Sequence, residues 1–172
     1  MKKLKFLFCL LCFQTSLEAQ RFPSFQSTND LGASVAFLPA TAGKPAVIFV
    51  QTNSSDDKVL QSWVDPLVQK FINKSGVLDA LFESELYFLA FLNSAEALVL
   101  EKSRNKLQKE LPDEMRGRCY YTLESSETLE NVVLNGAGSY IVVVDALGTI
   151  LGTVQGDYTE QKMELIEDLL SE

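Results

Sequence analysis

Apolar residues alternate between two kinds of segment along this chain. Residues 46–50 (AVIFV), 86–92 (LYFLAFL), 119–123 (CYYTL) and 140–145 (YIVVVD) are near-continuous apolar runs of strand length. Such runs predict strands buried on both faces of a sheet. Residues 149–154 predict a fifth strand, and residues 146–148 between them a tight turn that makes the last two strands antiparallel. Between these runs the period changes to that of a helix. Leu60, Trp63, Leu67 and Phe71 are spaced 3, 4 and 4 apart and form one stripe over residues 59–71. Pro66 lies inside that stripe and predicts a kink, because it removes a backbone donor. Residues 95–111 predict a polar helix stopped by Pro112, and residues 126–134 a short one ended by Asn135-Gly136. Asp157 to Glu160 has capping-box spacing ahead of a last helix carrying Met163, Ile166 and Leu170. Upstream, Val35 and Phe37 alternate as in an edge hairpin.

The order is hairpin, β, α, β, α, β, short α, β, β, α. Alternating strands and helices predict an α/β sheet with a parallel part covered by helices. No linker, repeat or low-complexity tract divides residues 20–172, which are expected to form one domain. The first 19 residues read differently. Lys2, Lys3 and Lys5 precede an apolar run at 6–13 (FLFCLLCF), and Ala19 closes a plausible cleavage site. A run of this length is too short to cross a bilayer, so residues 1–19 read as a secretory signal. The expected location is periplasmic or secreted, with no stable membrane anchor after cleavage.

Charge and composition narrow the chemistry. The chain has 23 acidic and 15 basic residues among 172, and no histidine. Removing residues 1–19 takes three basic residues and one acidic one, leaving a net charge of −10. That balance argues against a nucleic-acid partner. The missing histidines exclude Ser-His-Asp and Cys-His catalysis and His-based metal sites. Neither a metal nor a cofactor is expected. Cys9 and Cys12 fall within the signal, so Cys119 is the one thiol of residues 20–172.

Phe22-Pro23-Ser24-Phe25, Leu31-Gly32 and Gly43-Lys44-Pro45 ahead of the first core strand form one recognisable set. Residues 139–145 followed by Gly148, and Gly156 ahead of the last helix, form another. Together they resemble the alkyl hydroperoxide reductase/thiol-specific antioxidant family and the envelope thioredoxin-like reductases. The resemblance implies a thioredoxin-like three-layer sandwich with a central mixed sheet and an N-terminal hairpin. It places the family's active-site loop at residues 51–58. Redox members carry Cys-x-x-Cys at the start of the first main helix, where Ser55 and Lys58 stand here. Peroxide-reducing members place a cysteine three residues after a threonine. Thr52 is present, but Ser55 occupies the third place. The cis-proline position of the family aligns with Ser139, where a trans peptide is expected. Phe22-Pro23, Trp63 with Pro66, and Gly138 to Asp145 are also similar to the cysteine-free thioredoxin-like ATP synthase assembly factors. Ser139 interrupts their glycine–tyrosine pair, and their basic-aromatic segment after Asp145 is absent.

What this implies is a redox-inactive binding or assembly module for a protein or peptide partner, with no catalytic residue. Thr52, Ser54, Ser55, Ser139 and Tyr140 would form the rim of the degenerate site, with the Tyr140 ring as one contact. The alternative is a thiol-dependent oxidoreductase or peroxidase-type antioxidant protein working through Cys119, which Arg116 and Arg118 would activate by lowering its pKa. A plainer reading makes Cys119 a small buried hydrophobe. A third class is unrelated chemistry at the carboxylates beside Ser55. Ser54, Ser55, Asp56 and Asp57 are otherwise caps for the first helix, and Trp63 is either core or an anchor for a partner.

Overall fold

The computed structural model describes residues 20–37, 43–52, 57–76, 79, 83–110, 112–132 and 138–171. The expected signal at residues 1–19 lies outside the described residues. Among the described residues, seven strands and four α-helices follow the predicted order. The strands are β1 (Phe25–Asn29), β2 (Ser34–Phe37), β3 (Ala46–Gln51), β4 (Glu85–Phe91), β5 (Cys119–Thr122), β6 (Ser139–Val144) and β7 (Ile150–Gln155). The helices are α1 (Asp57–Leu67), α2 (Ser94–Glu110), α3 (Glu127–Val132) and α4 (Glu160–Ser171). They build one mixed sheet in the order β2-β1-β5-β4-β3-β6-β7. β3 runs parallel to β4, and β4 to β5, while β6 and β7 are antiparallel to their neighbours.

The continuous apolar runs lie where two-sided burial requires them. Ala46 to Val50 and Tyr140 to Val144 are each 3% exposed or less. One face of the sheet buries Ile48, Val50, Leu89, Tyr140 and Val142. Phe25 of β1 and Phe37 of β2 belong to the same apolar cluster, and Phe22 and Leu129 of α3 pack with them. Phe25 meets Phe91 edge-on with ring centroids 4.9 Å apart, and Phe22 meets Phe37 at 6.0 Å. The Phe-Pro-Ser-Phe opening therefore adds the rings of Phe22 and Phe25 to an aromatic plug on this face, Phe25 from the first residue of β1. The opposite face buries Val47, Phe49, Leu86 and Ile141 beneath Trp63 and Leu67 of α1 and Met163 and Ile166 of α4. The α/β class and the N-terminal hairpin hold as expected, with β2 and β7 at the sheet edges.

Local details depart from expectation at three places. The disturbance caused by Pro66 takes the form of a π-helical turn at Val68–Ile72, where Asn73 N–H donates to the Val68 carbonyl at 2.9 Å. Proline offers no N–H to the preceding turn, and the hydrogen-bond ladder resumes one residue wider. The last helix is capped by Thr159 rather than by an Asp157 capping box. The Thr159 hydroxyl accepts from Lys162 N–H at 3.3 Å. α2 carries a capping box that the sequence reading missed. Asn93 Oδ1 accepts from the Ala95 and Glu96 amides at 2.9 and 3.0 Å, and Glu96 accepts from Asn93 N–H at 2.8 Å. The signal was legible as Asn-x-x-Glu ahead of a helical run. No described helix is long and apolar enough to cross a membrane.

Candidate functional site

The carboxyl end of β3 and the entry to β6 meet at one end of the sheet. The register pairs Gln51 with Ser139 and Val50 with Tyr140. Just beyond it, Thr52 is 2% exposed. Its hydroxyl accepts from Gly138 N–H at 2.7 Å and donates to the Gly138 carbonyl at 3.0 Å. The Thr52 amide donates to the same carbonyl at 3.0 Å. Three hydrogen bonds thus join two loops that are 86 residues apart in sequence. Gly138 has φ +153°, a conformation that side chains disfavour. A Cβ there would meet only ordinary contacts, Tyr140 at 3.5 Å and Gln155 at 3.6 Å. Backbone conformation, rather than space, calls for glycine at this position.

Of the rim residues expected from the sequence, the structure brings Thr52, Ser139 and Tyr140 together. Ser54 and Ser55, with Asp56, lie outside the described residues. The Gly138–Ser139 peptide is trans. Ser139 is 6% exposed, and its hydroxyl has no hydrogen-bond partner among the described residues. The Tyr140 ring corrects the picture of an open aromatic contact. Strand alternation turns it to the aromatic-plug face, where it is 3% exposed. Its hydroxyl accepts from Gln155 Nε2 at 3.0 Å. Burial, with the Glu130 carboxylate adding, raises the phenol above its ordinary value.

Trp63 is a core residue. It is 1% exposed, its Nε1 donates to the Gly156 carbonyl at 2.8 Å, and its ring meets Tyr158 edge-on at 5.2 Å. Ser62 adds a second tie by accepting from Tyr158 N–H at 3.1 Å. These contacts fix α1 against the loop between β7 and α4, at the same end of the sheet as the Thr52–Gly138 junction.

Cys119 stands apart from that junction. It opens β5 and is level with Phe88, which is level with Phe49. Two strand spacings of about 4.8 Å separate it laterally from β3. Three residues at about 3.3 Å each separate the level of Phe49 from Thr52. The thiol is therefore on the order of 14 Å from the rim. Burial drives its pKa from 9.0 to about 12, and the Asp30 carboxylate pushes the same way. Asp30 is held beside it by Gly117 N–H at 2.9 Å, and Asp30 N–H donates to the Cys119 carbonyl at 2.9 Å. The expectation that Arg116 and Arg118 activate this thiol is overturned. Arg118 is paired with Glu85 at 2.6 Å and Arg116 with Asp113 at 2.8 Å. A nearby carboxylate and desolvation act together against the thiolate.

At the level of sequence, no family model and no curated protein matches the chain. Solved structures do. An uncharacterized thioredoxin-like protein from Porphyromonas gingivalis is 14% identical and superposes with a TM-score of 0.56, covering 87% of this chain and 90% of its own. A thiol:disulfide interchange protein of the thioredoxin family from Chlorobium tepidum TLS is 15% identical, with a TM-score of 0.53 and coverage of 88% and 97%. The pneumococcal exposed lipoprotein thioredoxin from Streptococcus pneumoniae strain TIGR4 is 12% identical, with a TM-score of 0.53 and coverage of 85% and 99%. The fold is thioredoxin-like over nearly the whole described chain.

Proposed function

We propose that this chain is an exported, redox-inactive thioredoxin-like module that holds an extended segment of a protein partner at the rim around Thr52 and Ser139. The observation that carries the reading is the rim itself. In the loop that the resemblance assigns to the family's active site, Thr52 makes a closed set of hydrogen bonds to Gly138. Beside it, the Ser139 hydroxyl is buried and has no partner among the described residues. A buried hydroxyl left without a partner costs about 1–3 kcal/mol. Main-chain hydrogen bonds to an extended peptide would give a complex at these paired loops its affinity. The competing reading, an oxidoreductase working through Cys119, meets the chemistry of that thiol. Exchange with a disulfide needs a thiolate and then a second thiol to release the product. Cys119 is held protonated, and residues 20–172 contain no other cysteine.

Insulin-reduction and peroxide-consumption assays on the purified protein test the redox half of this reading. The expected result is turnover no faster than a no-protein control, unchanged in Cys119→Ser. Turnover clearly above the control, lost in Cys119→Ser, would move the assignment to a one-cysteine oxidoreductase. Export is read from the charged-apolar-small order of residues 1–19. Envelope fractionation with N-terminal sequencing checks it, and a cytosolic protein that retains Met1 counts against it.

A further inference from the structure

β7 and α4 together present a second surface. β7 ends the sheet, with β6 as its one strand neighbour. Among the described residues, only the base of that edge is covered. Ile150 N–H donates to the Gln20 carbonyl at 2.8 Å, and Phe22 N–H to the Gly148 carbonyl at 2.9 Å. Leu151 to Gln155 run on past this cover. Sheet edges are templates for a further strand, and soluble proteins usually guard them with charged residues or proline. Residues 146–156 contain no proline and no charged side chain. A β-bulge between Ile150 and Gly152 leaves Leu151 36% exposed. α4 continues the same surface. A Cβ on Gly152 would stand 2.7 Å from Leu169, so Leu169 rests on the strand backbone. Gln161, Leu165 and Leu169 recur at i, i+4 and i+8 and so share one flank of the helix. Leu165 is 47% exposed there. Glu160, Glu164 and Glu167 lie on the other flank, around Lys70 of the π-helical turn after α1.

We propose that this surface joins two copies of the chain, with β7 pairing antiparallel to β7 about a two-fold axis near Thr153. Charge selects a second copy as the occupant. A two-fold interface sets one patch against itself, so any charge near its centre meets its own like. Residues 20–172 carry a net charge of −10, yet the β7 edge and the adjoining α4 flank keep charge away from that centre. Register agrees. Pairing about Thr153 uses Leu151 to Gln155 of each copy and stops at Ile150, which Gln20 already holds. Helix placement agrees as well. α4 runs back along β7 after a four-residue loop and touches both β7 and β6. One helical turn of about 5.4 Å separates Leu165 from Leu169, which brings Leu165 near the level of Val154. A helix midway between two strands stands about 4.8 Å from an axis beside the edge strand. The two α4 helices would then lie about 10 Å apart, an ordinary packing distance, with Leu165 facing its counterpart. The paired edges extend the sheet across both copies and cover Leu151 and Leu165. The proposal takes residues 1–19 as removed, as the export reading has it.

The test is sedimentation equilibrium of the chain beginning at Gln20, so that its outcome does not depend on whether the cell removes residues 1–19. The expected result is a mass that climbs from one copy toward two as concentration rises from about 1 to about 500 μM. Added salt should strengthen the association, because it screens the repulsion between two acidic copies. Leu165→Lys and Thr153→Lys each place a cation beside its own counterpart at an exposed position. Each should weaken association about tenfold or more with the melting temperature unchanged, and either one serves if the other fails to fold. Leu98→Lys on α2 and Ser34→Lys on the opposite sheet edge are exposed controls that should leave association as it was. Amide exchange at Thr153 and Gln155 should slow in the associated form. The proposal is overturned if the chain stays a single copy throughout, if salt dissociates the pair, or if the pair carries more than two copies. It is equally overturned if a folded Leu165→Lys or Thr153→Lys protein associates like the wild type, or if Ser34→Lys or Leu98→Lys is the variant that dissociates it.

Discussion

The reactivity of Cys119 separates the functional readings most directly, and its size follows from the structure. Burial and the Asp30 carboxylate lift the thiol from 9.0 to about 12. Each unit is a tenfold loss of thiolate at neutral pH, so the native protein holds about 1,000-fold less thiolate than the unfolded chain. The thiolate that does form is more basic and therefore a better nucleophile. With a Brønsted slope of about 0.4–0.5, three units return a factor of about 15 to 30. The net expectation is a native rate about 30 to 60 times slower than in the unfolded chain, before any loss from restricted access. The assay is exchange with the neutral disulfide 4,4′-dithiodipyridine at mildly alkaline pH. It uses the chain beginning at Gln20, native and in guanidinium chloride, so that Cys119 is the single thiol followed. A native rate within a few-fold of the denatured rate would refute the argument. It would mean that the thiol is exposed or activated, and would return the oxidoreductase reading to first place.

The same shift makes stability depend on pH. A pKa raised on folding favours the protonated native state, so its contribution is intact below the unfolded value near 9 and is lost as pH rises toward about 12. At about pH 10.5 the wild type should have lost about 2 kcal/mol that Cys119→Ala does not lose, measured by urea unfolding of both at that pH and near neutrality. Thr52→Val removes the hydroxyl that Gly138 donates to, and should cost about 1–3 kcal/mol in urea unfolding by stranding that N–H. Trp63→Phe keeps most of the ring volume but leaves the Gly156 carbonyl without the indole N–H, and should cost about 1 kcal/mol or more in the same assay. At Asp145, burial works to raise the carboxyl, but the Thr149 and Leu147 amides at 2.7 and 2.8 Å outweigh it, and its pKa is lowered. Its contribution is therefore present above the unfolded value of about 3.9 and lost as pH falls below that value through the folded one. Asp145→Asn should be the less stable protein near neutrality and should show a flatter decline in acid.

The sequence by itself determined which segments become strands and helices, and much of what the rim lacks. Residues 46–50 and 140–144 have no polar position to give away a solvent face, and only two-sided burial in a sheet accommodates that pattern. The 3, 4, 4 spacing of Leu60, Trp63, Leu67 and Phe71 marked the buried stripe of α1 for the same kind of reason. Both signals are local, because the period of the backbone sets them. The tertiary structure alone decided everything that depends on pairing across distance. A strand buried on both sides carries no information about its neighbours, so the order β2-β1-β5-β4-β3-β6-β7 was not legible. Nor was the face to which Tyr140 turns, since a uniformly apolar strand has no period to read. Arg118 stood one residue from Cys119 in sequence, yet it pairs with Glu85, while Asp30, 89 residues away, sits against the thiol. Sequence proximity suggested an activating cation, and the fold supplied a carboxylate in a desolvated site. The Thr52–Gly138 junction is of the same kind: each residue is unremarkable in its own segment, and the chemistry they share exists only where β3 and β6 are brought side by side.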